Sequence, residues 1–355
     1  MKKWIVTLGF IVGWAVAATA MPVGQERIYE GAVEVGVFGD IGLGTVSASR
    51  RETVRIREVA VRQEENGVRH IVFRLLSAQK QRWGDAVQFV LKAPNIVLEL
   101  ARAPLVGNPR INYLPPHLFL AFQPLVRKVG QVWTKAADPV WWGGFGFAGF
   151  TLTTRYRVVA AEKVNGRACW VVERSVPQRI GVTQIPRYHE RWWIAREDGT
   201  PMRYTLDAAF EQPLPFNGSY TAKLRLTLQL TQINRLAPEA AAHLRQASER
   251  LQALDKRLQE LERRPLGENW AEWEQLFNQL QGWQEKEKDE WLRVCVLETA
   301  WQSLGSRRTA LLETKLAKGQ PLPAPDFTLV DTDGKPHRLS GYKGSVVVLS
   351  FFGFG

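Results

Sequence analysis

From residue 21 to about residue 236, apolar and polar positions alternate in short runs, the pattern of strands that bury one face. Arg27–Phe38, Glu52–Gln63, Val68–Leu76 and Asn95–Ala101 alternate or carry β-branched residues, and Thr151–Ala161, Ala168–Glu173, Arg191–Arg196 and Tyr220–Ile233 repeat the pattern. Between them lie Asn66-Gly67, Asn165-Gly166, Asp198-Gly199 and Asn217-Gly218, dipeptides that tolerate the positive φ of tight hairpins. Tyr156–Val172, centred on Asn165-Gly166, is the clearest hairpin, and Gly39–Gly44 reads as a turn. The expectation is one antiparallel β domain over residues 21–236, either a curved half-barrel or a sandwich.

The pattern changes over residues 237–316, where Ala, Leu, Glu, Gln, Lys and Arg dominate. Leu244, Leu251, Leu254, Leu258 and Leu261 follow heptad spacing. Pro265-Leu266-Gly267 breaks that helix, and Asn269 with Glu272 resembles an N-cap with its capping-box partner. A second helix carries Trp273, Leu276, Phe277, Leu280 and Trp283 on one stripe and is expected to continue through Trp291, Cys295 and Leu304. The prediction is an antiparallel helical hairpin, whose apolar stripe packs within the pair or onto the β domain. Gly319–Pro325, with three prolines, cannot continue a helix and reads as a linker into a further domain over residues 317–355.

The ends and the composition narrow the setting. Lys2 and Lys3, an uncharged stretch from Trp4 to Ala18, and Ala18-Thr19-Ala20 read as a secretory signal over residues 1–20. Its apolar run is short for a bilayer span of about 20 residues. The mature protein is therefore expected to be exported, periplasmic or extracellular, and soluble or membrane-associated. A net charge of +12 favours acidic partners such as anionic lipid, but no compact basic run or nucleic-acid motif accompanies it, so no nucleic-acid partner is expected. Two cysteines, Cys169 and Cys295, are present. In an oxidising compartment they could form a disulfide, or each could remain a buried thiol, and spacing alone leaves both open. His189-Glu190 does not extend to H-E-x-x-H because Trp193 holds the second histidine's place. No phosphate-cradling, dinucleotide or serine-hydrolase motif stands in a convincing context, so no metal and no cofactor are expected.

The segment after the linker carries the most specific signal. Asp326–Leu329 reads as a strand, Asp331–Gly334 as a turn, His337–Leu339 as the return strand, Tyr342–Gly344 as a second turn, and Ser345–Phe352 as a strand buried on both faces. Ala324, Pro325, Phe327, Leu329, Asp331, Gly334, Leu339, Lys343, Gly344, Val347, Val348, Leu349 and Phe351 stand in the order of an Ala-Pro-x-Phe-x-Leu, Asp-x-x-Gly, Leu, Lys-Gly, Val-Val-Leu-x-Phe opening. These residues resemble the N-terminal part of the thioredoxin-like superfamily, its exported thiol-disulfide oxidoreductases and its peroxiredoxins (the alkyl hydroperoxide reductase and thiol-specific antioxidant group). The resemblance covers about a tenth of the chain. It implies an α/β redox domain acting on protein thiols and disulfides or on peroxide. It also implies a nucleophilic cysteine directly after Gly355, at a helix N-terminus that would lower its pKa. The chain as written lacks that cysteine, so no catalytic residue is named. The expectation is that it is a fragment of a redoxin whose full-length product has the activity; the alternative is a natural remnant that ends at Gly355, is no enzyme, and adds its last strand to an edge of the β domain.

A second class of function attaches to the β domain. Val140–Phe150 interleaves aromatics with glycine and could pack a tight bend or line a lipid pocket. The stretch from Tyr188 to Tyr204 distantly resembles exported lipoprotein-carrier folds, in which a half-barrel sheet shields acyl chains. On this alternative the protein is a non-enzymatic envelope component that binds lipid or another apolar ligand.

Overall fold

The computed structural model describes residues 21–40, 45–78, 81–92, 96–102, 126, 128–140, 150–213, 218–264 and 269–298, with 301, 304–306, 309–310, 313, 317, 328–331, 333 and 335–347. The signal segment, the linker Gly319–Pro325, and the aromatic–glycine stretch between Val140 and Phe150 lie outside the described residues. The chain divides into two compact units, Met1–Gly305 and Ser306–Gly355.

The first unit is built on one antiparallel sheet of twelve strands. They are β1 (Gln25–Asp40), β2 (Thr45–Gln63), β3 (Val68–Ala78), β4 (Gln81–Lys92), β5 (Ile96–Arg102), β6 (Val132–Val140), β7 (Phe150–Val164), β8 (Arg167–Ser175), β9 (Arg179–Ile180), β10 (Thr183–Ala195), β11 (Pro201–Pro213) and β12 (Ser219–Arg235). The order is β5-β4-β3-β2-β1-β12-β11-β10-β8-β7-β6, with β9 pairing β10 off that path. Two meanders are thus joined along the β1–β12 seam. Two of the expected turns take positive φ, Asn165 and Gly166 at 50° and 79° between β7 and β8 and Gly199 at 72° before β11, whereas Asn66-Gly67 between β2 and β3 does not.

Register shows why the alternation falls as it does. On β12, Leu224, Leu226, Leu228 and Leu230 sit opposite Val35, Val33, Gly31 and Tyr29 of β1. On the other side Leu224, Leu226 and Leu228 oppose Ala208, Leu206 and Tyr204 of β11. These residues share one face, here called the inner face, and belong to one buried core with Ile56, Val72, Tyr156, Val172 and Trp192. Gly31 is required on this face, because a Cβ there would stand 1.7 Å from the Thr227 carbonyl oxygen. An aromatic ladder crosses the same core: Trp133 stacks on Tyr156 at 5.2 Å, Tyr156 meets Trp192 at 6.0 Å, and Trp192 meets Tyr204 at 5.3 Å.

The helical segment packs on the opposite face of the β1–β4 half. Helix α1 (Pro238–Glu262) buries Leu244, Leu251, Leu258 and Leu261, with Leu254 half-buried, and α2 (Trp270–Lys286) buries Trp273, Leu276, Leu280 and Trp283. They run antiparallel: Arg257 reaches Gln275 near one end, and His243 reaches Glu287 near the other. Two expectations are corrected here. Asn269 precedes α2 but makes no side-chain cap; its amide instead donates to the Leu261 carbonyl at the end of α1. The second helix also does not continue through Trp291, Cys295 and Leu304, because Glu287 turns the chain to an extended conformation. The buried Glu287 carboxylate accepts from Trp283 Nε1 and from the Asp289 amide, which holds the break in place. A new turn, α3 (Glu290–Leu292), starts at Asp289, whose carboxylate accepts from the Leu292 amide at 3.0 Å. A π-helical turn, Arg293–Glu298, follows.

In the second unit, β13 (Thr328–Val330) and β14 (Pro336–Arg338) form a hairpin around Asp331, whose carboxylate accepts from the Asp333 and Lys335 amides. A 3₁₀ turn over Leu339–Tyr342 leads to Gly344, at φ 92°. The strand expected over Ser345–Phe352 is not seen in its described part: Ser345–Val347 is not extended in a sheet and Val346 is 95% exposed. An apolar run becomes a buried strand only against a paired neighbour, and the described residues of this unit supply none. Val348–Gly355 lies outside the described residues.

Candidate functional site

The inner face has a cavity of about 350 Å³ along β1 and β2, lined by Val33, Val35, Val37, Ala48, Ser49, Arg50 and Glu52. Register explains the lining. Val33, Val35 and Val37 pair with Glu52, Arg50 and Ala48, so three cross-strand pairs turn toward the same side. The three valines form an apolar wall, and Leu226 and Leu224 extend it opposite Val33 and Val35.

Two charged residues interrupt this wall at inner-face positions, where the alternation would place apolar side chains. Arg50 and Glu52 form an ion pair through Nε and Oε1. The Arg50 side chain is 46% exposed, whereas that of Glu52 is 4% exposed. The second oxygen of Glu52, Oε2, is buried and has no hydrogen-bond partner among the described residues. Burial pushes the Glu52 carboxyl above its ordinary value, and the Arg50 guanidinium offsets only part of that. A buried carboxylate oxygen without a donor is costly, and such atoms are rare in folded proteins.

The other buried acids of this face are structural by comparison. Glu190 lies in the same row as Glu52, through Leu206, Leu226 and Val33 on successive strands. Its carboxylate accepts from Arg174 Nε at 2.5 Å, from the Tyr188 hydroxyl at 2.5 Å and from the Tyr204 hydroxyl at 2.7 Å, so both oxygens are satisfied. Burial, then the Glu190 charge, holds both tyrosine hydroxyls well above their ordinary pKa, so they stay donors. Glu58 is engaged by His70 Nδ1 at 3.0 Å through Oε1, while Oε2, like that of Glu52, has no hydrogen bond among the described residues and pairs with Arg27 Nη1 at 3.6 Å. Burial pushes the Glu58 carboxyl up, but His70 and Arg27 outweigh it and hold it below its ordinary value. A second cavity, also about 350 Å³, is lined by Arg155, Arg157, Glu173, Arg174, Ser175, Tyr188, His189 and Glu190 and is polar throughout.

The residues singled out in the sequence separate in space. Cys169 on β8 and Cys295 in the π-helical turn are both buried, and no disulfide joins them. Their sulfurs donate to different backbone carbonyls, of Arg167 and of Arg74. Burial raises the Cys169 thiol pKa, which makes it a packing residue rather than a nucleophile. His189 is exposed on the face opposite Glu190. Trp192 is buried in the core, and Trp193, on the other side of its strand, donates to Glu162 Oε2 at 2.6 Å. The ends of the aromatic–glycine stretch, Val140 and Phe150, are paired. Among the described residues no group of three or more His, Cys, Asp or Glu could hold a metal ion. Arg50 and Glu52 were not among the sequence candidates. Their signal was a phase error: on β2, Glu52 occupies the phase of Val54 and Ile56.

No family model matches the chain, and no curated protein matches it. Among solved structures, one described as lipid–protein interactions in lipovitellin is similar over 61% of this chain, at 11% identity and a TM-score of 0.36. The match spans only 26% of the lipovitellin chain. Ail, the attachment invasion locus protein of Yersinia pestis, in complex with the heparin analogue sucrose octasulfate, is similar over 59% of this chain and 99% of that one, at 6% identity and a TM-score of 0.17. Likeness at this level carries no argument, and the functional reading rests on the residues.

Proposed function

We propose that the β unit belongs to an exported envelope protein and holds an apolar ligand, such as an acyl chain, against the inner face of its sheet. The observation that carries this is the cavity of about 350 Å³ walled by Val33, Val35 and Val37, a size within the range of small-molecule sites. A half-barrel is the form of the sheet that suits this role. One apolar face runs across the β1–β12 seam, with β5 and β6 as the two edges among the described residues. Each methylene that leaves water for such a wall contributes about 0.8 kcal/mol. The experiment is a titration of the full chain with a fluorescent acyl probe of about twelve carbons. Saturable binding in the wild type, lost in Val35→Arg with an unchanged circular dichroism spectrum, is the expected result. A natively folded wild type that shows no saturable binding overturns the proposal.

A second reading attaches to the C-terminal unit. The hairpin of Thr328–Val330 with Pro336–Arg338, closed by Asp331, follows the strand–turn–strand order that opens a thioredoxin-like domain. On this reading the native product continues into a redox domain that exchanges disulfides or reduces peroxide. Peptide mapping of that product, with insulin-reduction and peroxide-consumption assays, tests it. A mapped continuation without a cysteine at a helix N-terminus overturns it.

A further inference from the structure

The polar cavity on β7, β8 and β10 has two arginines without an ion pair among the described residues. Pairing of β8 with β10 stops at Arg174–Glu190, and the cavity, of about 350 Å³, lies at that end of the ladder. Its floor is closed. The Arg174 and Glu190 side chains are 1% and 0% exposed and pair with each other. The Tyr188 hydroxyl bridges them, accepting from Arg174 and donating to Glu190. The floor therefore offers no free charge. The rim differs. Arg155 and Arg157 are both exposed and stand two residues apart on one face of β7, which sets their Cα atoms about 7 Å apart. Glu173 is the cross-strand neighbour of Arg157. Its carboxylate turns instead to Arg191 on β10, whose Nε and Nη2 are each 2.5 Å from Oε1. Ser175, opposite Arg155, brings no charge, and its hydroxyl donates to the Arg155 carbonyl. His189 completes the rim, exposed and without a hydrogen-bond partner among the described residues.

We propose that this cavity binds a phosphate monoester group, as free phosphate or as the head of a phosphomonoester lipid. The site is separate from the apolar cavity on β1 and β2 and does not depend on the acyl-chain reading. Charge and acceptor count decide the class. Glu173 and Glu190 do not cancel Arg155 and Arg157, because Arg191 and Arg174 already match those two carboxylates. Two positive charges are left over at the rim. A phosphate monoester carries about −1.5 to −2 at pH 7 and three acceptor oxygens, enough to face both guanidinium groups and a His189 N–H. A carboxylate has two oxygens, which one guanidinium fork fills, so the second arginine stays unmatched. A phosphodiester carries a single charge and balances one arginine only. Arginine at both positions fits the class, since its rigid fork of donors matches the edge of a phosphate.

The test is calorimetric titration of the full chain with inorganic phosphate at low ionic strength. Beside it runs flotation with phosphatidylcholine vesicles that contain either phosphatidic acid, a monoester, or phosphatidylglycerol, a diester. Wild type is expected to bind phosphate or phosphatidic acid saturably. Arg155→Gln and Arg157→Gln together are expected to weaken that binding by at least about ten-fold, and each alone by about three-fold. Arg51→Gln with Lys223→Gln removes the same charge from exposed positions on β2 and β12 and is expected to weaken it by less than about two-fold. Melting curves show that each variant is folded. Saturable binding of inorganic phosphate supports the site with free phosphate as its source. Binding of phosphatidic acid vesicles alone supports it with a lipid as the source. Equal weakening in the two double variants marks attraction to net charge and overturns the site. Phosphatidylglycerol binding as tight as that of phosphatidic acid overturns the monoester assignment. Binding of neither phosphate nor phosphatidic acid by folded wild type overturns the whole proposal, and none of these outcomes bears on the acyl-probe titration.

Discussion

At the scale of single residues, the inner face sorts its acids by whether their acceptors are filled. Glu190 is the filled case. Glu190→Ala would leave the buried Arg174 guanidinium without its carboxylate, which costs about 3–5 kcal/mol, and chemical denaturation is expected to show a loss of that order. Glu52 and Glu58 each keep one oxygen without a hydrogen bond among the described residues, and the effect of Glu52 on stability has a sign that can be worked out. Its folded-state pKa is raised above the ordinary 4.5. The folded state therefore holds the proton more tightly than the unfolded state. This contribution to stability is fully present below pH 4.5 and is lost as pH rises through the folded value. Glu52→Gln has no such loss. Its stability relative to wild type is expected to be independent of pH below about 4 and to rise above that, as read by denaturation at pH 3.5 and pH 7. Glu58 has the opposite sign. Its pKa is lowered from 4.5 by His70 and Arg27, which outweigh burial, so its contribution is present above pH 4.5 and is lost as pH falls through the folded value. Glu58→Gln is expected to be less stable than wild type at pH 7, with the gap closing in acid.

At the scale of elements, the fold depends on a few joints. Gly31 is one: the alanine Cβ would meet the Thr227 carbonyl across the β1–β12 seam. Gly31→Ala is expected to destabilise by on the order of 3 kcal/mol, the upper end of overpacking costs, measured by thermal melting. Asp289 is another. It caps α3 and accepts from the buried Arg57, whose Nε is also held by Glu26. Asp289→Asn keeps the cap and loses the charge, whereas Asp289→Ala loses both. The alanine variant is expected to cost about 1 kcal/mol more than the asparagine variant. Much of this level was legible in the sequence. The Asn165-Gly166 hairpin and the leucine stripe of α1 lie where turn chemistry and spacing place them. Strands β4, β6 and β11 fall outside the predicted runs for identifiable reasons. Gly84 and Asp85 weaken β4, Asp138-Pro139 sits beside a register shift in β6, and prolines stand at both ends of β11. The break at Glu287 was not legible, because it depends on a tertiary contact: Trp283 and Asp289 both donate to one buried carboxylate.

At the scale of the whole molecule, the two units differ in how much structure surrounds their functional signals. The C-terminal unit shows one short hairpin, β13 with β14. The β unit is known by register, which places Val33, Val35 and Val37 on one wall and Glu52 within it. The site was the least legible part of the sequence. Arg50 and Glu52 sit in a charged stretch, Arg50-Arg51-Glu52, at the start of a predicted strand run, and only pairing with β1 places two of its three residues on the inner face. The most direct check of the central claim is native mass spectrometry of the protein isolated from its own envelope without detergent. The account predicts a species heavier than the apoprotein by one small apolar ligand, released on denaturation and depleted in Val35→Arg. An apoprotein mass alone, from folded material that also fails to bind the acyl probe, would contradict it.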